Sequence, residues 1–257
     1  MKNLKVIGLG LLLTITGLVN ECWGYSETFG NYTIDYGNLS YSIYSGDTIN
    51  GWVSASAVEG AYPIEMDVSG YGEAISIFDG VFAQGSITII AQRSFTLSNP
   101  YIPDGESADT LAGIKGSWGY DLAGGCSGDW SGFYATKHGW AGVKNGGALV
   151  TQWPEDEISI ARGPFNPGET SANGIHLINT LTSNPVFLKV GVPYYLVTRE
   201  YAFFNAWGVM GGSAWASIAN DLDAKVVMSS IPEPATFLLL TLSLPFIPAF
   251  RRKKRKK

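Results

Sequence analysis

Two cysteines and two histidines in 257 residues leave little material for nucleophilic, redox or metal chemistry. Cys22 falls in an N-terminal leader, so Cys126 stands alone in the rest of the chain and an internal disulfide is excluded. A domain of this length buries enough surface to fold without one. His138 and His176 have no close metal-ligand spacing to each other or to Cys126, and no local signature marks a Cys–His nucleophile. G-x-S-x-G, H-E-x-x-H and the phosphate-binding loop are all absent. No catalytic residue, metal ligand or cofactor is therefore expected. Charged residues make up only 15% of the chain. No window of 12 or more residues outside the termini carries a 3.6-residue apolar stripe, which excludes a helical bundle.

What the sequence does have is glycine and aromatics, with 32 Gly, 13 Tyr and 8 Trp. Between residues 25 and 230 apolar side chains recur at every second position, as in "WVSASAV", "AISIFDG", "SITIIAQ", "EISIAR", "YYLVTREYAF" and "DAKVVMS". Gly, Asn, Asp or Pro separates these runs, and "YTIDY" and "LSYSIYSG" flank an expected turn at Gly37-Asn38. Many short strands with this punctuation predict an all-β fold, an antiparallel β-sandwich that is jelly-roll-like, with a closed barrel as the alternative.

The termini read differently. Lys2 and Lys5, the apolar run 6–19 and the small residues Cys22 and Gly24 make residues 1–24 a secretory signal helix cleaved after Gly24. Residues 25–230, the sandwich domain, hold 8 Lys+Arg against 20 Asp+Glu, a net −12, which repels nucleic acid. Residues 231–257 contain Pro232-Glu233-Pro234, an uncharged span from Phe237 to Phe250, and seven consecutive basic residues. As a helix that span reaches ~21 Å against a hydrocarbon core of ~30 Å. Extension to Ala235 and snorkelling arginines narrow the gap, so a C-terminal transmembrane helix with a cytoplasmic basic end is expected.

The order Pro-Glu-Pro, apolar span, basic cluster resembles the PEP-CTERM sorting signal of exported bacterial proteins. The resemblance implies that a membrane-embedded exosortase, thought to be cysteine-transpeptidase-like, recognises Pro232, Glu233 and Pro234 and processes the tail. It further implies export through the inner membrane, transient anchoring there, and release to the cell surface or an exopolysaccharide matrix. Residues 186–230 look like the closing strands of β-sandwich proteins with such tails, with Val186, Leu188, Gly191, Tyr194 and Leu196 in a V-x-L-x-x-G-x-x-Y-x-L pattern. There the sequence reads as a long strand, a Gly-rich hairpin near Gly211-Gly212, then further strands.

Candidate surfaces lie in residues 99–170, read as long Gly-rich loops, where function collects on a sheet scaffold. Trp118, Trp130 and Trp140 are the candidates for stacking on sugar rings, with core packing as the competing assignment. The densest acids are Glu155-Asp156-Glu157 and Asp121/Asp129, and "NDLD" (Asn220, Asp221, Asp223) offers hard oxygens for calcium beside a turn. The expected function is a non-catalytic structural or adhesive protein of the envelope or biofilm matrix. The alternative is an extracellular protein that binds or degrades polysaccharide through acids and Trp of the 99–170 segment.

Overall fold

The computed structural model describes residues 14–18, 25–128, 130–163 and 170–229. Pro232, Glu233, Pro234 and the expected C-terminal membrane helix lie outside the described residues. No helix among the described residues is long and apolar enough to cross a membrane.

The strands are β1 (Thr14–Leu18), β2 (Tyr25–Phe29), β3 (Tyr32–Ser45), β4 (Gly51–Val58), β5 (Ile64–Ile75), β6 (Val81–Ser98), β7 (Ser107–Ser127), β8 (Gly132–Asn145), β9 (Ala148–Arg162), β10 (Ser171–Asn179), β11 (Val186–Lys189), β12 (Pro193–Gly208) and β13 (Ser213–Met228). One helical turn, α1 (Thr180–Ser183), precedes β11. All pairings are antiparallel and fall into two sheets. Sheet A has the order β1-β3-β6-β12-β8-β9, with β2 also on β3; sheet B has β10-β7-β13-β5-β4, with β11 also on β7. The period-2 pattern explains the packing. On β6, Ala83, Ile87, Ile89, Ala91, Phe95 and Leu97 are buried on one side. Sheet B answers with Ile64, Met66, Val68, Ile114, Trp118, Leu122, Ile218 and Val226, and the two inner faces form one β-sandwich core.

Four expectations change. Thr14–Leu18, inside the expected signal helix, is a strand that pairs with Ser40–Tyr44 of β3. Its β-branched run Thr14-Ile15-Thr16 suits a strand, and β2 leaves that part of the β3 edge open. Gly37-Asn38 is not a turn: β3 runs through it, with a bulge against β6 between Tyr36 and Leu39. The Gly211-Gly212 segment is not a hairpin either, because β12 and β13 lie in opposite sheets and the turn carries the chain across the core. Each of these two strands is central in its own sheet.

The fourth change is the largest. Most of the expected Gly-rich loop region before residue 148 is the long strands β7 and β8, whereas β9 is strand as its alternation predicted. Several glycines of β7 and β8 are not turn formers but gaps that admit rings. A Cβ on Gly139 would sit 2.6 Å from Trp118 Nε1, and one on Gly124 would sit 2.3 Å from the Phe133 ring. The same device seats Phe204 of β12 against Gly72 and Gly85, where added Cβ atoms would meet its ring at 2.2 and 2.7 Å.

Candidate functional site

Sheet B turns one face to the core and the other to solvent. Alternation along β4, β5 and β13 therefore places Trp52, Tyr71 and Trp215 on the outer face, although they are far apart in sequence. Tyr71 is directly opposite Trp52 on one side and Ser217 on the other. Its ring stacks on Trp215 at 6.4 Å between centroids and 27° between planes. The Trp215 indole also lies over β7, where a Cβ on Gly125 would stand 2.6 Å from its Nε1. Trp215 is thus held on two sides while remaining 38% exposed, and Trp52 is 51% exposed. The Tyr71 hydroxyl donates to Glu73 Oε2 at 3.2 Å, and partial desolvation, then Glu73, raises its pKa.

Four residues from Tyr71 along β5, about 13 Å at ~3.3 Å per residue, the face becomes acidic. Asp67 is opposite Asp221, and Glu65 is opposite Asp223. Like charges directly opposed on one face destabilise a sheet, so this arrangement is retained at a cost. Asp221 lies flat over Gly119, where a Cβ would fall 2.1 Å from its Oδ1. Asp223 accepts the Ser117 hydroxyl at 3.2 Å, and burial followed by the charge of Asp221 raises its pKa. These acids, with Ser56, Val58, Ala61, Tyr62 and Met66, line a cleft of about 390 Å³. Between cleft and rings the face is floored by small side chains, among them Ser54, Ser69 and Ala219, with Ser54 opposite Ser69 and Ser69 opposite Ala219.

One wall of the cleft is residues 59–63, and a buried arginine from the other sheet fixes it. Arg93 of β6 donates through Nη1 to the Pro63 carbonyl at 3.1 Å and pairs through Nη2 with Glu59 at 2.9 Å. Its Nε donates to the Gly37 carbonyl at 2.6 Å, so the β3 bulge supplies the third anchor. The guanidinium also lies 5.5 and 5.6 Å from the rings of Tyr25 and Tyr36.

The residues singled out from the sequence are scattered. Trp118 has no exposed surface and packs with Tyr120, Trp153 and His176, so it cannot stack on a sugar. Trp130 is exposed in the turn between β7 and β8. Trp140 is half-buried on the outer face of sheet A, where its Nε1 donates to Gln152 Oε1 at 3.0 Å. The structure brings no two of the three together on one surface. Glu155, Asp156 and Glu157 sit on β9; Glu155 pairs with Arg199 at 2.9 Å, Asp156 with His176. Asp121 is on the outer face of sheet B, and Asp129 lies outside the described residues. Asn220, Asp221 and Asp223 are in mid-strand rather than beside a turn, and the Asn220 carboxamide oxygen accepts the Asp121 N–H. Among the described residues no group of three or more His, Cys, Asp or Glu could hold a metal ion. The sequence reading missed Trp52, Tyr71 and Trp215. The available signal was an aromatic at an outward strand position followed at i+2 by a small residue, as in Trp52-x-Ser54 and Trp215-x-Ser217.

No family model matches the chain, and no curated protein matches its sequence. Among solved structures, a family 11 carbohydrate-binding module from Clostridium thermocellum, in complex with a β-1,3-1,4-mixed-linked tetrasaccharide, is similar at 13% identity. That match covers 81% of this chain and 95% of the module, with a TM-score of 0.22. TmCBM61 in complex with β-1,4-galactotriose is similar at 10% identity over 70% of this chain and 88% of its own, with a TM-score of 0.16. A loop-swap mutant of Necallimastix patriciarum Xyn11A is similar at 11% identity, covering 84% of this chain and 100% of its own, with a TM-score of 0.20. Likenesses this distant carry no argument about what the chain binds.

Proposed function

We propose that this β-sandwich, whose crossing strands we read as jelly-roll-like, binds polysaccharide without cleaving it, across the outer face of sheet B. The observation that carries this reading is the row Trp52–Tyr71–Trp215. A pyranose has an apolar C–H face and a rim of hydroxyls. Exposed rings held flat match the first, and carboxylates and serine hydroxyls beside them accept or donate to the second. Glycosidic cleavage needs two carboxyl groups flanking the scissile bond. Here the acids rise from one floor, which favours binding over catalysis. Matrix polysaccharide bound in this way would make the protein an adhesive component of the envelope or biofilm matrix.

We place the protein outside the inner membrane on the strength of residues 1–24 and 231–257. On this reading, an exosortase acts on Pro232-Glu233-Pro234 after the tail has held the protein transiently in the membrane. Cleavage of the leader removes β1 and uncovers the Ser40–Tyr44 edge of β3.

Affinity electrophoresis of the full chain through gels containing the host's own exopolysaccharide, or neutral β-glucans, tests the binding claim. The expected result is retardation without new reducing ends, and Trp215→Ala weakening it about tenfold, ~1.4 kcal/mol. Lack of retardation on every polysaccharide, or an unchanged Trp215→Ala, would overturn it; released oligosaccharide would make the protein a hydrolase. Intact masses from medium and membrane test the sorting claim. A released form running from Tyr25 to near Pro234 supports it, and a full-length form that is never trimmed refutes it.

A further inference from the structure

β4 is the outermost strand of sheet B. It pairs with β5 along its whole length, Gly51 to Val58, without a register shift. Among the described residues no strand pairs with its other edge. Sheet edges are ordinarily defended by charge, proline or bulges, because an open edge templates pairing with another chain. The outer strand of sheet A, β9, has such defences: Pro154, Glu155, Asp156, Glu157 and two irregularities of register. β4, with the sequence GWVSASAV, has no charge, no proline and no bulge.

Its outward side chains also read large apolar, serine, serine, large apolar. Trp52, Ser54, Ser56 and Val58 face solvent, and Ala55 is the midpoint. Trp52 and Val58 are the strand's two exposed large apolar side chains, each 51% exposed. A two-fold axis normal to the sheet at Ala55 would set Trp52 against Val58 of a second copy, and Ser54 against Ser56, twice each. Aromatic–β-branched and hydroxyl–hydroxyl pairs are favourable cross-strand neighbours. β10, the opposite edge, is uncharged too but fails this test, since a two-fold axis at Ile175 sets Asn173 against Leu177.

We infer that a second copy of this chain docks edge to edge on β4, antiparallel, making one continuous sheet of two sheets B. The charge distribution favours this edge over others on a body that carries a net −12 across residues 25–230. Glu59, one residue past β4, is engaged by Arg93, and the acids of the two β5 strands would be at least three strand spacings apart, about 14 Å. That exceeds the screening length of ~10 Å at 0.1 M salt. Because the axis is normal to the sheet, both outer faces point the same way, and the contact is isologous and closes at two copies.

Sedimentation of the full chain in mild detergent tests this. The expected result is a dimer at concentrations of about 10–100 µM, and a monomer for Ser54→Lys/Ser56→Lys, which sets lysine opposite lysine at two places. Both serines are exposed on the outer face, so at about 1 µM, where the wild type is monomeric too, the variant should keep the wild-type melting curve by circular dichroism. Register is checked separately with Ser54→Cys/Ser56→Cys in a Cys22→Ser/Cys126→Ser background, which should give a covalent dimer on oxidation. A wild-type chain that stays monomeric at every concentration overturns the inference. So does a dimer that survives the lysine pair, because it would use another surface, or a cysteine variant that fails to cross-link while dimeric.

Discussion

Lys137 Nζ stands 2.8 Å from Glu200 Oε1 at the centre of the sandwich, and neither side chain reaches solvent. Lys137 also donates to the Gly119 carbonyl at 2.9 Å and lies 5.5 Å from the centre of the Trp118 ring. The pair ties β8 to β12 within sheet A and, through Gly119, to β7 of sheet B. It sits directly beneath the acidic floor. Burial first, then the charge of Asp221, pushes the Glu200 carboxyl up to about 7, against the pull of Lys137. Burial lowers the Lys137 ammonium, against the pull of Glu200, Asp221 and Asp67.

This pair should make stability depend on pH in a stated direction. A carboxyl at about 7 in the folded state, against 4.5 for an ordinary glutamate, binds a proton more tightly folded than unfolded. Its contribution is complete below pH 4.5 and is lost as pH rises through 7. Asp223, whose pKa is also raised, acts in the same direction. Urea unfolding at pH 5 and at pH 7.5 should therefore show Glu200→Gln gaining on wild type as pH rises, by an amount on the order of 2–3 kcal/mol. A difference independent of pH would mean that Glu200 stays ionised throughout.

Removing one partner and removing both should have opposite consequences. Glu200→Leu leaves an ammonium in the core without its counter-charge, a loss of roughly 3–5 kcal/mol. Lys137→Met/Glu200→Leu fills the same space with apolar atoms and should return to wild-type stability or exceed it. Denaturant midpoints of the three proteins decide the point.

Gly139→Ala should destabilise by about 1–3 kcal/mol, because its Cβ would stand 2.6 Å from Trp118 Nε1 in a core without room to yield. Gly147→Ala, where an added Cβ meets nothing within 4 Å, should be neutral within about 0.5 kcal/mol. Thermal melts of the two variants provide the comparison.

These glycines also explain what the sequence could and could not say. Alternation marked most strands, because a half-buried strand imposes its period on local sequence, as β6 does from Ala83 to Leu97. It could not distinguish a glycine that turns the chain from one that admits a ring. "KGSWGYDLAGGC" therefore read as a loop although Gly116 to Cys126 is continuous strand. The aromatic row was hidden for another reason. Trp52, Tyr71 and Trp215 become neighbours only through the registers of β4 on β5 and β5 on β13, and Arg93 reaches the cleft wall from the other sheet. None of these relations is local in sequence.

Arg93→Lys should therefore reach the cleft on sheet B from a distance. A lysine ammonium has three donors but on a single nitrogen, which cannot stand where Nε, Nη1 and Nη2 reach Gly37, Pro63 and Glu59. The Pro63 and Gly37 carbonyls would lose a charge-assisted partner each, at roughly 1–3 kcal/mol per bond in the folded protein. The wall formed by residues 59–63 would loosen while Trp52, Tyr71 and Trp215 kept their places. The expected result is lower stability together with weaker retention on polysaccharide, and with the overall tryptophan emission unchanged. Full retention would show that the cleft wall takes no part in binding.

The charge of the floor should select among polysaccharides. Glu65, Asp67, Asp221 and Asp223 present four carboxylates around one cleft. Lys225, the basic residue nearest them on β13, is engaged by Glu27 at 3.0 Å. A uronic-acid polymer would bring further carboxylates against this floor and would be repelled, increasingly so as salt is lowered. A neutral polymer meets no such barrier and can donate its hydroxyls to the same oxygens. Affinity electrophoresis in parallel gels should therefore show retardation by neutral polysaccharide and none by alginate at low salt. Asp221→Asn should weaken the neutral ligand, since a carboxamide accepts less strongly than a carboxylate, by about 3- to 10-fold. If alginate bound as tightly as neutral polymer, and Asp221→Asn left both unchanged, the ligand would lie wholly on the aromatic row and clear of the cleft.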